Sequence, residues 1–265
     1  MTRYLRILSL YFQQIFQHRA RVLMWFLVAF INPLVLLLFW QGALAPNQKL
    51  LGWDISSMRT YYLLLIIAQT GLIHHVETDV AYTDIKQGEL MRELLKPFPY
   101  ITLKALAETP ARILQMSYAI ITVSAIVLFL HIPLKISNEP IIILQAIMIS
   151  LSAFVLSFLF KMLLGLAAFW MTSIDSLIET DDVLIMSLSG LVLPLNLFPS
   201  WLSSIAQFTP FPYILYYPVA SLIGIYRSSE LWHIMLVQFC WIVFLFIAYL
   251  FVWNRGLKKF SGVGQ

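Results

Sequence analysis

The sequence predicts an all-α integral membrane protein, and three features of the chain support this fold class. Of its 265 residues, 60% are hydrophobic and only 11% are charged, whereas a soluble domain has about 25% charged residues. The apolar residues form six runs, most of them near the roughly 20 residues that a helix needs to cross a bilayer. Basic residues collect at the ends of these runs. Because backbone groups in lipid must bond within their own segment, the runs are predicted to be helices.

Six transmembrane helices in a single domain, residues 1–265, are therefore expected. The runs are Val22–Leu44, Met58–Val76, Ile113–Leu130, Pro140–Met171, Val183–Phe198 and Leu231–Trp253. No connection between them is long enough to hold a separate soluble domain. The third helix is expected to begin well before its lipid-buried part. The fourth run exceeds the bilayer core in length, so Lys161, late in it, is expected to extend its amine to the inner membrane surface.

The distribution of lysine and arginine predicts that both chain ends face the cytoplasm. With six alternating spans and a cytoplasmic N-terminus, 13 of these residues lie inside and four lie outside, as the positive-inside rule requires. An acidic turn, formed by Asp175, Glu179, Asp181 and Asp182, should also lie inside, and carboxylates carry little weight in this rule. The first run is too long and begins too late for a signal peptide, so we expect a retained helix.

Residues 1–21, before the first run, predict a helix that lies in the headgroup layer. Apolar residues such as Tyr4, Leu8 and Tyr11 recur at helical spacing, while Arg3 and Arg6 lie largely on the opposite face. A basic amphipathic helix of this kind lies along a membrane surface. The alternative is an ordinary lead-in to the first span.

Residues 77–100, the longest polar stretch, predict a short helix that docks a cytoplasmic partner. Thr83 or Asp84 can cap such a helix, and Pro97 would stop it. One side of it carries apolar residues that a solvated loop would not need: Ile85, Leu90, Met91, Leu94 and Leu95. The alternative is a helix that packs only on its own membrane domain.

The start of the third helix carries a pair of opposite charges, Glu108 and Arg112. They are four residues apart, so they can pair on one helix face. At the cytoplasmic entrance a charge costs far less than at the centre of a span. The simpler interpretation is a solvated ion pair. The more specific interpretation is that the pair takes part in gating.

Motifs of catalysis and nucleotide binding are absent from the sequence. It contains no phosphate-loop pattern G-x-x-x-x-G-K-[ST], so the chain is not expected to hydrolyse ATP, and no H-E-x-x-H, G-x-S-x-G or C-x-x-C. His74 and His75 precede Glu77 and Asp79, but adjacent helical residues point about 100° apart, so we expect no metal site. No Asp or Glu falls near the middle of a predicted span, which counts against ion-coupled transport. Cys240, the only cysteine, excludes an internal disulfide.

Residues 193–227 are predicted to form broken helices that dip into the outer leaflet and return. Five of the 12 prolines fall between Pro194 and Pro218, so one straight helix is excluded. The stretch is nevertheless too apolar for an aqueous loop, and neighbouring protein would have to cover its freed backbone groups. Several aromatic residues suit the headgroup level, where they could be simple interface anchors: Trp201, Tyr213, Tyr216, Tyr217 and Tyr226.

In their order along nearly the whole chain, these features resemble the permease subunits of type-2 ATP-binding-cassette exporters, in the small bacterial six-span branch. The run from Asp84-Ile85 through Gly88-Glu89-Leu90 to Leu94-Leu95-Lys96-Pro97 is similar to that family's coupling segment. Its outer re-entrant signature resembles Ser189-Gly190, Pro194, Phe198-Pro199-Ser200-Trp201-Leu202, Pro210-Phe211 and Tyr216-Tyr217-Pro218. Phe169-Trp170 and the tail from Arg255 to Phe260 also resemble this branch. The acidic residues Glu179–Asp182 have no counterpart that we recognise.

The resemblance implies a half-transporter in a bacterial cytoplasmic membrane. Two membrane subunits, alike or related, would form the pathway, and two separate ATPase subunits, which bind ATP and Mg, would dock from the cytoplasm. This chain would itself bind no cofactor and no nucleic acid. The implied coupling residues are Asp84, Ile85, Gly88, Glu89, Leu90, Arg92, Leu94 and Leu95, and the implied outer gate is Pro194, Phe198, Pro199, Trp201, Pro210, Phe211 and Pro218. A carrier without an ATPase and a multi-pass lipid-modifying enzyme remain as alternatives.

Overall fold

A computed structural model describes residues 2–17, 19–43 and 50–260, and helices dominate all three ranges. The first half contains α1 (Thr2–Gln17), α2 (Arg19–Ala43), α3 (Ile55–Leu72), α4 (Val76–Thr78), a π-helix (Asp79–Lys86), α5 (Leu90–Leu94) and α6 (Tyr100–Phe129). The second half contains α7 (Pro140–Leu166), α8 (Asp175–Leu188), α9 (Ser200–Gln207), α10 (Phe211–Ile214), α11 (Tyr216–Ile223) and α12 (Ser228–Lys259). Short 3-10 helices lie at Ala167–Phe169 and Leu195–Leu197.

Four of these helices are long and apolar enough to cross a membrane: Arg19–Ala43, Tyr100–Phe129, Pro140–Phe169 and Ser228–Lys259. The helix α3 has 18 residues, about 27 Å, and it is the best covered, with Tyr61, Tyr62 and Leu63 fully buried. The helix α8 has 14 residues, about 21 Å, which is short of the bilayer core. The number of six spans therefore stays a prediction, whereas the helical membrane fold is confirmed.

The acidic stretch is helical, so the expectation of a turn there is wrong. The helix α8 begins at Asp175 and ends at Leu188, which shifts it from the predicted run Val183–Phe198. A run defined by hydropathy leaves out the carboxylate-bearing first half of the helix. The helix stops because Gly190 adopts a φ of +86°, where a side chain would be strained. The Tyr61 hydroxyl donates to the Gly190 carbonyl at 2.7 Å.

Helix α12 packs along α7, and a buried amide joins this pair to α10. Gln238 of α12 is fully buried, and its Nε2 donates to the Ile149 carbonyl of α7 at 3.1 Å and to the Tyr213 carbonyl of α10 at 2.8 Å. Interhelical hydrogen bonds of this kind fix one packing arrangement where lipid provides no competing partner. Outward faces of α2, α7 and α12 carry large exposed apolar residues, as lipid contact requires.

The proline-rich stretch is broken into three short helices, α9, α10 and α11, as the sequence predicts. Most of its tyrosines are nevertheless core residues: Tyr213, Tyr216 and Tyr217 are at most 6% exposed. The rings of Tyr213 and Tyr217 pack with their centroids 4.7 Å apart. The interpretation of these three tyrosines as membrane-interface anchors is therefore wrong, whereas Trp201 is exposed and fits that interpretation.

Candidate functional site

Residues 76–95 connect α3 to α6 at the end of the bundle beside α1. Their first part, α4 and the π-helix, packs closely on α7 because Gly165 has no side chain. A Cβ at Gly165 would lie 2.8 Å from the Val80 Cβ and 2.9 Å from the Glu77 carbonyl oxygen. Gly88 has a φ of +82°, which turns the chain between the π-helix and α5. The single short helix predicted for this segment is thus divided at Gly88.

The apolar side chains of this segment divide into a buried pair and an exposed group. Ile85 is 8% exposed and Leu90 is fully covered, so both pack against the membrane domain itself. Met91, Leu94 and Leu95 are 57%, 46% and 86% exposed. We call these three residues the apolar knob. Ile85 and Leu90 thus fit the interpretation of a segment that packs on its own membrane domain, whereas docking of a partner by the exposed residues stays a prediction.

Asp84 fastens the segment to the beginning of α6. Its carboxylate is buried, accepts a hydrogen bond from the Tyr100 hydroxyl, and lies 2.5 Å from the Lys104 amine. The expectation that Asp84 caps a helix is wrong, because the residue lies within the π-helix and its side chain points to another helix. Glu89 and Arg92 pair on the surface at 2.6 Å, beside the apolar knob.

Lys161 occupies the centre of a buried ion cluster that joins three helices. Its side chain is 1% exposed, and its amine lies 3.2 Å from Glu77 and 2.6 Å from Asp181. The expectation that this amine reaches the membrane surface is wrong, because carboxylates of α4 and α8 surround it. Burial acts to raise the pKa of Glu77, but the neighbouring His75 and the charge of Lys161 outweigh it and hold that pKa below its usual range.

Glu108 and Arg112 do pair, but the pair is buried rather than solvated. The Arg112 Nε lies 3.4 Å from the Glu108 carboxylate, and the two side chains are 7% and 12% exposed. The Arg112 Nη1 also donates to the Ile73 carbonyl at 2.7 Å. The pair therefore links α6 to the end of α3, since Ile73 caps that helix.

Three contacts connect the 76–95 segment to α8 and the residues just before it. The Lys86 amine donates to the Met171 carbonyl, and the Tyr82 hydroxyl donates to Asp175 at 2.6 Å. The third contact is the ion cluster, in which Lys161 bridges Glu77 and Asp181. No sequence pattern marked Tyr82 or Lys86. The acidic stretch was the one visible signal, and its partners lie too far along the chain to be read from it.

The residues of the predicted outer gate lie near the beginning of α3, whereas the 76–95 segment follows its end. Trp53, just before α3, donates to the Asn196 side chain at 2.9 Å, and the Tyr62 hydroxyl donates to the Val192 carbonyl at 2.7 Å. The gate residues differ in exposure. Pro194, Pro210, Phe211 and Pro218 are buried, Phe198 is half-buried, and Pro199 and Trp201 are exposed.

The two adjacent histidines have separate surroundings. His74 is buried, with Phe154 and Phe158 at ring-centroid distances of 4.4 Å and 5.5 Å. His75 is exposed, stacks on Trp25 and lies 3.7 Å from Glu77. Within the part of the chain that the structure describes, no three His, Cys, Asp or Glu residues are arranged to hold a metal ion.

The long apolar helices define a multi-pass helical membrane protein. The sequence profile of the family described as ABC-2 family transporter protein matches residues 30–264. The chain therefore belongs to the ABC-2 family of transporter proteins, and the resemblance predicted from its motifs is confirmed. Permeases of this family are transport components without an ATPase domain of their own. No curated protein and no solved structure matches the chain significantly.

Proposed function

We propose that this chain is the membrane-spanning subunit of an ATP-driven exporter. Two such subunits, identical or related, form the translocation pathway, and two ATP-binding-cassette ATPase subunits supply the energy from ATP and Mg. The complex lies in a bacterial cytoplasmic membrane, and this chain crosses it six times with both termini in the cytoplasm. Family membership and the basic residues at the α1 end of the bundle support this arrangement.

The observation that carries the proposal is the apolar knob. Met91, Leu94 and Leu95 project from a helix of five residues that is too short to cross a membrane. Exposed apolar groups rimmed by charges mark surfaces for protein partners, and Arg92 and Glu89 supply such a rim. Ile85 and Leu90 hold the knob from beneath. In this proposal the knob inserts into a groove of the ATPase subunit.

Movement of the ATPases would reach the pathway through the contacts of the 76–95 segment. Asp84 fastens the segment to α6, Gly88 provides its turn, and Lys161 joins it to α8. A displacement of the segment would therefore pull on α8 and on α6 together. The helix α1, which packs against α6 and contacts Phe98 through Tyr4 at 5.1 Å, would move with them as an interfacial lever.

The opposite end of the bundle would act as the outer gate. The prolines Pro194, Pro199, Pro210 and Pro218 set the breaks between its short helices. Phe211 holds the gate against α7 by packing on Phe160 at 5.4 Å, while Phe198 and Trp201 cover its outer side. The Glu108–Arg112 pair would steady the inner end of α3 during opening. The proposed direction of transport is export.

Co-purification tests the docking step. The chain is co-expressed with a candidate ATP-binding-cassette ATPase subunit, extracted in mild detergent and captured by a tag. We expect Leu95→Asp to lower the recovered ATPase about tenfold or more, because a central apolar contact is replaced by a charge. Leu51→Asp is the matched control, since Leu51 is 72% exposed and lies before α3, at the other end of the bundle.

Equal recovery of the ATPase with Leu95→Asp and Leu51→Asp would contradict the docking role of the knob. Ile85→Asp is not a suitable test of docking, because Ile85 is buried and its replacement disturbs the fold. A chain that transports cargo in vesicles without any ATPase would favour the carrier alternative instead.

A further inference from the structure

A cavity of about 290 Å³ lies among α2, α3, α6 and α8, beside the buried ion cluster. Its wall contains Trp25 and Asn32 of α2, Gln69 of α3, Gln115 of α6 and Asp182 of α8. Trp25 is 57% exposed and the Asp182 side chain is 65% exposed, so the cavity opens to the surface between α2 and α8. The wall is mainly apolar, and these polar side chains lie within it.

The groups around the cavity carry an excess of negative charge. Arg112 lines the wall, but its charge is balanced by Glu108. The single amine of Lys161 faces three carboxylates. Of these charged residues, Asp182 and Arg112 line the cavity, together with His75. With the ion pairs behind the wall, Glu77, Glu108, Asp181 and Asp182 stand against Lys161 and Arg112, which leaves two negative charges when His75 is neutral and one when it is protonated.

Asp182 is the carboxylate whose charge is least satisfied. Its Oδ1 lies 3.9 Å from the Lys161 amine, beyond hydrogen-bonding distance, and Asp181 holds that amine more closely at 2.6 Å. Asp182 makes no side-chain hydrogen bond within the described ranges. Its carboxylate is therefore available to a ligand that enters the cavity.

Other polar groups of the wall also lack partners. Gln115 is 6% exposed, faces the cavity, and makes no side-chain hydrogen bond with any described residue. The Gln69 Oε1 is buried without a partner. A buried amide without a partner is costly in a membrane domain, so a ligand that donates hydrogen bonds to these groups would gain affinity. Amide oxygens and a carboxylate are acceptors for a positively charged donor.

We infer that this cavity binds an organic cation that carries apolar groups. The Asp182 carboxylate neutralises its charge, the Trp25 ring packs on its cationic or aromatic face, and Gln69 and Gln115 accept its hydrogen bonds. The apolar part of the ligand contacts Val28 and Met186 at the open side. This inference rests on the proposed function in one respect, since it names the chemical class of the cargo.

The test measures binding of tetraphenylphosphonium, which carries the charge and the apolar groups of the proposed ligand but no hydrogen-bond donor, to the purified full-length chain in lipid nanodiscs, by equilibrium dialysis of the labelled cation. We expect Asp182→Asn to raise the Kd about fivefold to tenfold, because one charge pair is lost at a partly exposed position. Glu179→Gln is the matched control, since Glu179 is an exposed carboxylate on the same helix that does not line the cavity. It should leave the Kd unchanged.

Tetraphenylborate, an anion of the same shape, is the second probe. It should bind more weakly than the cation to the original chain and gain affinity in Asp182→Asn. An equal Kd for the cation in Asp182→Asn and Glu179→Gln would overturn the inference, as would tighter binding of the anion to the original chain. Trp25→Leu should also weaken binding of the cation, and Trp25→Phe should retain most of it.

Two further comparisons identify the source of the ligand and distinguish failure of the cation site from failure of the proposed function. Binding is compared in nanodiscs with and without phosphatidylethanolamine. If this lipid amine competes with the probe, the natural ligand is a lipid headgroup. If it does not compete, the natural ligand is a free compound. Because the chain is measured alone, the binding result does not depend on an ATPase. If the cation binds but Leu95→Asp and Leu51→Asp recover equal amounts of ATPase, the proposed coupling is wrong and the cation site still stands.

Discussion

Lys161 shows what a single ionised residue does within an apolar helix. A charge inside a membrane helix is costly, so such residues face the protein interior and pair with one another. Here the amine reaches one carboxylate from α4 and another from α8. Because both partners are also buried, the cluster holds the 76–95 segment against α7 and α8 in one arrangement.

Lys161→Met should therefore destabilise the protein strongly. It leaves Glu77 and Asp181 buried without a cation, which typically costs about 3 to 5 kcal/mol. The measurement is the midpoint of thermal unfolding in detergent, with Lys258→Met, an exposed lysine of α12, as the control. Adding Glu77→Gln and Asp181→Asn to Lys161→Met should restore much of the midpoint. Equal midpoints for the two single variants would show that the cluster does not hold the segment.

The residue scale also shows how far sequence reasoning reaches. The Glu108–Arg112 pair could be predicted because its members are four positions apart on one helix. The partners of Lys161 could not, because Glu77 lies 84 positions earlier in the chain and nothing local relates the two. Burial was missed for the same reason, since the sequence cannot show which neighbours cover Asp84 or Arg112.

At the scale of elements, local chemistry determined which predictions were accurate. The long apolar runs became α2, α6, α7 and α12, because their hydrophobicity exceeds any local signal for interruption. The prolines after Pro194 produced the expected breaks. The helix α8 was displaced because carboxylates in its first half bind a lysine of another helix. Of the apolar residues expected on one side of the 76–95 segment, Met91, Leu94 and Leu95 are exposed, whereas Ile85 and Leu90 are buried.

Gly165 sets the contact between α7 and the 76–95 segment, and a methyl group there should disturb it. Gly165→Ala places a Cβ 2.8 Å from the Val80 Cβ, and such overpacking costs about 1 to 3 kcal/mol. Gly42→Ala is the control, because no atom lies within 4 Å of a Cβ at that helical position, and alanine favours a helix by up to about 1 kcal/mol.

Limited proteolysis distinguishes a local loosening of the 76–95 segment from a general loss of stability. In Gly165→Ala the 76–95 segment should be cleaved several-fold faster than in the original chain at a temperature where the remaining helices stay intact. Unchanged cleavage and an unchanged unfolding midpoint would show that α7 does not constrain the segment.

At the scale of the whole molecule, the asymmetry of basic residues makes a prediction about orientation. Most of these residues lie in α1, the start of α2, residues 86–112 and the end of α12, and the loop before α3 carries few. Both chain ends should therefore face the cytoplasm, and Leu51 should face outward.

Labelling of introduced cysteines checks this orientation. In a Cys240→Ser background, Leu51→Cys should react with a membrane-impermeant maleimide in intact cells, whereas Lys258→Cys should react only after permeabilisation. Reaction of both in intact cells would place them on one side and contradict an even number of crossings. The reverse pattern would invert the protein in the membrane.

The two halves of the outer segment are held very unequally. Every residue of α10 is buried, and the Gln238 amide of α12 fixes its backbone, whereas α9 buries only Ala206. Local stability follows the number of buried contacts, so α9 can swing outward as a flap of eight residues while α10 stays fixed as its hinge. In the function proposed here, an antibody fragment that clamps α9 alone should therefore stop transport.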